Sequence, residues 1–109
     1  MNQQSLTDCL RACHACADAC NYCSVACLDE DNVATMASCI KLDIDCAALC
    51  SLAAGFMARK STHAKSICLA CAKICEDCAE ECDKHDHEHC KDCAKACREC
   101  AAACQKMAA

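Results

Sequence analysis

The stretch from Cys9 to Cys27, CLRACHACADACNYCSVAC, decides the fold. Its cysteines are Cys9, Cys13, Cys16, Cys20, Cys23 and Cys27, separated by steps of 4, 3, 4, 3 and 4. Alternating 3 and 4 averages about 3.5 residues, the spacing of the a and d positions of a heptad, and draws one stripe along one helix. In a strand, where successive side chains alternate between faces, the same steps would throw the thiols onto both. The stretch therefore predicts a helix with one thiol-lined face.

The pattern recurs downstream. Cys68, Cys71, Cys75, Cys78 and Cys82 form one stripe, and Cys90, Cys93, Cys97, Cys100 and Cys104 another, both with steps of 3, 4, 3 and 4. Between them and the first runs a thinner stripe, Met36, Cys39, Asp43, Cys46, Cys50, Ala53 and Met57, with three cysteines in seven positions. The other faces of that segment carry Ile40, Leu42, Ile44, Leu49, Leu52 and Phe56. This second apolar surface either meets another subunit or covers neighbouring helices of the same chain.

Breaks between the stripes set the elements. Ser5 followed by Asp8 predicts an N-cap for the first helix, and Asp29-Glu30-Asp31-Asn32 separates the first two, with Asp31 or Asn32 capping the second. Lys60-Ser61-Thr62 marks the next link and Asp83-Lys84-His85-Asp86 the last, with Asp86 as a cap. The expectation is an all-α chain, residues 1–109 as a single domain, with helices over roughly 6–28, 32–58, 62–82 and 87–107. Short links make it an up-down-up-down four-helix bundle with a Cys-lined core.

Composition agrees. Of 109 residues, 19 are Cys and 23 are Ala, and only 18 are Leu, Ile, Val, Met or Phe, so sulfur must fill much of the interior. With no Pro and one Gly, Gly55, the chain lacks the turn residues of a β-sandwich, a Rossmann-type fold or a knottin. A net charge of −5 argues against a nucleic-acid or anionic-membrane partner. No stretch approaches the ~18–20 apolar residues of a membrane span. The opening residues Met1–Asp8 show neither a basic start nor an apolar run, so no secretory signal is expected. An odd cysteine count forbids complete internal pairing; reduced thiols in a cytoplasmic protein are expected, and there they point to metal or redox chemistry.

Soft thiolates select Cu(I), Zn(II) or iron–sulfur clusters, and charge separates these. A buried zinc with four thiolates carries −2, and several such sites in one core would bury a large uncompensated charge. A monovalent copper ion instead replaces one thiol proton and leaves the core neutral. If each thiolate bridges two ions, capacity is roughly one Cu(I) per Cys. Geometry agrees, because zinc is wrapped tetrahedrally by paired motifs on loops, whereas a helical stripe offers ligands in a line. A zinc or cadmium thiolate buffer is the alternative in the same class, and an iron–sulfur, ferredoxin-like redox module the alternative in another. The CxxC pairs here lack the βαβ or loop-plus-Pro setting of redox and cluster motifs. No nucleophile, base and orienting group come together, so no enzyme is expected.

The four Cys-striped helices, the segment Cys39-Ile-Lys-Leu-Asp43-Ile-Asp-Cys46 and the turn Cys82-Asp-Lys-His85-Asp-His87-Glu-His89-Cys90 resemble the bacterial copper storage proteins of the cytosolic type. The resemblance covers the whole chain. It implies a homotetramer of four-helix bundles, many Cu(I) ions held on core thiolates, and no catalysis. A copper chaperone, or a small-molecule thiol or chelator, is the exchange partner such a store requires.

The remaining candidates lie at the ends. The links after the first and third helices share one end of an up-down bundle, which gathers Met36, His85, His87, His89 and the acidic run Asp29–Asp31. Thioether and imidazole both bind copper, so this end is the expected entrance. His89, adjacent to Cys90, is the favoured ligand; His85 and His87 are either ligands or solvated turn residues. Asp43 falls on the thiol face by spacing, where it would bind metal or hydrogen-bond a thiol or a helix end. Met57 is expected to plug the opposite end, with His63 structural there and His14 exposed. Glu76, Asp77, Glu80, Glu81, Lys91 and Lys95 are expected on a solvated face.

Overall fold

A computed structural model describes residues 2–109. Four helices follow in order: α1 Gln3–Leu28, α2 Ala37–Ala58, α3 Ala64–Cys82 and α4 Glu88–Ala108, with a 3-10 turn, Val33–Met36, leading into α2. Alanine between the thiols costs no side-chain entropy and favours helix throughout.

Helix starts differ from the sequence expectation. The cap of α1 is Asn2, whose side-chain oxygen accepts from the Ser5 amide at 2.7 Å, so Ser5 lies inside the first turn and is buried. Asn32 precedes the 3-10 turn without a side-chain cap, and α2 begins at Ala37 rather than at 32. His87, not Asp86, holds the cap position of α4, again without a side-chain bond. A thiol stripe dictates where a helix must run, not which polar residue starts it. The C-terminus of α2 closes with two bonds, Lys60 N–H to Met57 O at 3.0 Å and Ser61 N–H to Phe56 O at 2.9 Å. This is a Schellman motif, with Lys60 at φ 54° in the position glycine usually fills.

Each helix packs its backbone against two others, α1 on α2 and α4, and α3 on α2 and α4, and side chains meet across both diagonals, Cys16 with Cys75 at 3.9 Å and Asp43 with Cys93 at 3.3 Å. The rod this makes measures 45 × 17 × 17 Å. All nineteen cysteines point to its axis and are 0% exposed. The residues following six of them, Ala17, Ala47, Ala72, Ala79, Ala94 and Ala101, are also buried. Small side chains at these flanks let the backbones approach and bring the thiols of opposing helices together.

The two ends are built differently from the same register. Beyond the last thiols at the α1 N-terminal end the stripes continue into Leu6, Met57, Ala64 and Met107, all buried and apolar. Met107 continues the α4 stripe three residues past Cys104. At the other end the register runs out into Glu30, Met36, His85 and His87. One end is sealed by hydrocarbon and thioether; the other carries groups that bind cations.

On the outside, Ile40, Leu42 and Leu49 lean against the core, whereas Ile44, Leu52 and Leu69 are about half exposed. The α2 surface thus divides between its own bundle and the solvent-facing side. No described helix is long and apolar enough to cross a membrane.

Candidate metal centre

The sulfurs form a continuous column. At the sealed end Cys9 approaches Cys104 at 3.4 Å, and Cys13 meets Cys100 at 3.6 Å. Further along, Cys50 lies 3.6 Å from Cys71 and 3.7 Å from Cys75, while Cys46 lies 3.6 Å from Cys75. Cys16 and Cys20 each reach Cys97 at 3.7 Å, and Cys20 reaches Cys93 at 3.5 Å. Toward the open end Cys39 meets Cys82 at 3.5 Å, and Cys23 lies 3.8 Å from Cys27 and 3.9 Å from Cys90.

Several sets of four sulfurs lie within 4.8 Å of one another, and the sets share members. Cys16, Cys46, Cys50 and Cys75 form one; Cys16, Cys20, Cys46 and Cys97 form the next; Cys20, Cys78, Cys93 and Cys97 follow. Cys23, Cys27, Cys39 and Cys90 make a further set at the open end. A tetrahedral ion needs four ligands to itself. Overlapping sets suit thiolates that bridge between ions, as copper(I) takes them.

Asp43 faces this column from α2 and is 0% exposed. Its Oδ1 accepts from the thiols of Cys78 and Cys93, each at 3.3 Å, and Cys82 at 3.5 Å; its Oδ2 accepts from Cys39 at 3.8 Å. Burial, then the neighbouring Cys93, raises the carboxyl to about 8. Burial acts the same way on the thiols near the mouth, lifting Cys27 to about 12, with Cys39 adding to it, and raising Cys90 as well. A thiol held neutral behaves as a small hydrophobe, and Cys27 and Cys90 pack in this way in the metal-free protein.

At the mouth, His89 bridges outside and inside. Its Nδ1 faces the thiols of Cys23 at 3.4 Å, Cys90 at 3.5 Å and Cys27 at 3.9 Å. Its Nε2 lies 2.7 Å from Oε2 of Glu30. His87 stacks on it, ring centroids 5.4 Å apart and planes 3° from parallel, with Nδ1 3.3 Å from the same Glu30 oxygen. His85 turns elsewhere: its Nε2 pairs with Glu81 at 3.1 Å and makes no hydrogen bond to a thiol. Glu81, expected on a solvated face, is half-buried by that pair and by Lys84 at 3.3 Å. Met36 is buried at this end, and His14 and His63 are exposed. In the sequence Glu30 belongs only to an acidic run; its contact joins the α1–α2 link to the first turn of α4, 59 residues on, for which no local pattern exists.

A protein-family model for copper storage proteins, Csp, matches residues 2–109. The chain belongs to the copper storage protein family. Among solved structures, the Cu(I)-bound copper storage protein BsCsp3 is 48% identical, covers 96% of this chain and 99% of its own, and superposes with a TM-score of 0.92. A cytosolic copper storage protein from Streptomyces lividans, in a structure with five coppers, is 39% identical over 96% of this chain and 92% of its own, TM-score 0.93. The cysteine-rich protein YhjQ of Bacillus subtilis (strain 168), described as uncharacterized, is 50% identical over 66 residues. That alignment spans 61% of this chain and 61% of that relative.

Proposed function

We propose that this member of the copper storage family holds many Cu(I) ions on the thiolates of its core, roughly one per cysteine. The observation that carries the reading is the column itself: nineteen sulfurs with no exposed surface, many of them in sets of four, several of which share members. Each Cu(I) replaces one thiol proton, so filling leaves the interior neutral and avoids the cost of burying charge. The thiolates of Cys9, Cys13, Cys16, Cys20, Cys23, Cys27, Cys39, Cys46, Cys50, Cys68, Cys71, Cys75, Cys78, Cys82, Cys90, Cys93, Cys97, Cys100 and Cys104 are the ligands, with Nδ1 of His89 joining those at the mouth. Asp43 accepts hydrogen bonds from neighbouring thiols, and Met36 and His87 line the approach. The Cu(I) bound by BsCsp3 and the coppers of the Streptomyces relative support this choice of cargo.

The role is storage without catalysis, placed in the cytosol, as the Streptomyces relative is described. Release then needs a chaperone or a thiol or chelator at the mouth. The exposed Ile44, Leu52 and Leu69 favour a further copy of the chain on the α2–α3 side, and with the family resemblance a tetramer. Light scattering on the reduced protein tests that assembly; a monomer would overturn it.

Chelator competition tests the cargo. Under anaerobic conditions the reduced protein should withdraw on the order of nineteen Cu(I) per chain from a competing chelator, and far fewer Zn(II) from a zinc chelator. Equal capacity for both metals would favour the zinc or cadmium buffer, and a brown protein with sulfide an iron–sulfur module.

A further inference from the structure

We propose that Glu30 is a positioning residue that fixes the tautomer of His89 and thereby aims the Nδ1 lone pair at the thiols of the mouth. This rests on the reading of His89 as a copper ligand. An ionised carboxylate only accepts hydrogen bonds. At 2.7 Å from Glu30 Oε2, the Nε2 of His89 therefore carries the ring proton, and Nδ1 is left with its lone pair. That lone pair faces Cys23 and Cys90, whose thiols donate to it at 3.4 and 3.5 Å in the metal-free protein. The other tautomer would turn an N–H toward those sulfurs and leave no ring lone pair there to join them in binding a cation.

The surroundings hold this arrangement. His89 is 13% exposed at its side chain and Glu30 27%, so the pair is partly screened from solvent. The parallel ring of His87 covers one face of the imidazole, and its Nδ1 stands 3.3 Å from the oxygen that His89 uses. Glu30 thus serves both rings from the α1–α2 link, whereas both histidines come from the start of α4. A histidine ligand whose second nitrogen donates to a carboxylate is a recurrent arrangement, and loss of the carboxylate typically costs about 10–100-fold in affinity or activity.

Two variants separate tautomer control from simple attraction of a cation by charge. Gln at position 30 keeps an oxygen that accepts from Nε2 but removes the charge; Ala removes both. Long-range proton–nitrogen NMR on the metal-free, reduced protein at pH 8 reads the tautomer directly, without copper. Stopped-flow mixing with a Cu(I)–chelator complex reads capture of the first equivalents. The wild type and Glu30→Gln should show His89 as the Nε2–H form alone and load at comparable rates. Glu30→Ala should populate both forms and load about tenfold more slowly, with final capacity unchanged because the inner thiols are untouched. A single Nε2–H form in Glu30→Ala, or equal slowing in Glu30→Gln and Glu30→Ala, would overturn the assignment. Failure of the storage reading is a separate result: it would appear as low total capacity in the wild type, with the tautomer still read from the metal-free spectrum.

Discussion

Asp43 is the single residue whose chemistry departs most from its surroundings. A carboxyl among thiols, fully buried and raised to about 8, is protonated in the folded protein over a range where the unfolded chain is ionised. The unfolded value is 3.8, so the folded state binds one proton more between about pH 4 and pH 8. Stability is therefore fully present below the unfolded pKa and is lost as pH rises through the folded one. Denaturant unfolding of the metal-free, reduced protein should show this as a decline on the order of a few kcal/mol from pH 4 to pH 8. Asp43→Asn should lose that decline, the difference between the two proteins removing the contribution of exposed pairs such as Asp83–Arg98. Identical slopes would contradict the assignment. The spacing of α2 already put Asp43 on the thiol face, but spacing could not choose between metal, thiol and helix end as its partner. Only the four sulfurs around it make that choice.

At the scale of the element, the thiol stripes made all four helices and their facing sides legible, because periodicity is a property of the chain alone. Caps and links were less so. Asn2 outcompetes Ser5 because its side chain reaches the amide three residues on, and Gln3 and Gln4 carry no stripe that would mark the helix as already begun. The 3-10 turn at Val33–Met36 escapes notice for the same reason. Two substitutions test the local account. Lys60 sits at φ 54° in the Schellman turn, a backbone region that favours glycine, so Lys60→Gly should stabilise the bundle by roughly 0.5–1 kcal/mol; a loss of stability would refute the strain. Ala94 follows Cys93, is 1% exposed and lets α4 approach its neighbours. Ala94→Leu should overpack that contact, lowering stability by about 1–3 kcal/mol and disturbing the sulfur column beside it. A neutral Leu variant would mean the alanine flank does not set the helix separation.

The whole molecule is a rod with one sealed end and one reactive end. Leu6, Met57 and Met107 close the first, and the second presents His89, His87 and Glu30. That polarity follows from register: continued past the thiols, the stripes reach Leu6, Met57, Ala64 and Met107 on one side and Glu30, Met36, His85 and His87 on the other. Much of it could be read from the sequence, including Met57 and the histidine-rich end. The pairing of Glu30 with His89 and the diversion of His85 to Glu81 could not, since both depend on how the final turns and links fold over one another. Metal that binds only the folded column must also stabilise it by linkage. The melting temperature should therefore rise continuously with copper, and a flat response would place the metal on exposed or unfolded sites.

The central claim is that univalent copper replaces protons one for one along a neutral, sealed array of sulfur. Counting protons released during an anaerobic Cu(I) titration in weakly buffered solution tests it most directly. The account predicts about one proton per copper, maintained until roughly one ion per cysteine has bound. Saturation after a handful of equivalents, or ions entering without proton release, would contradict it.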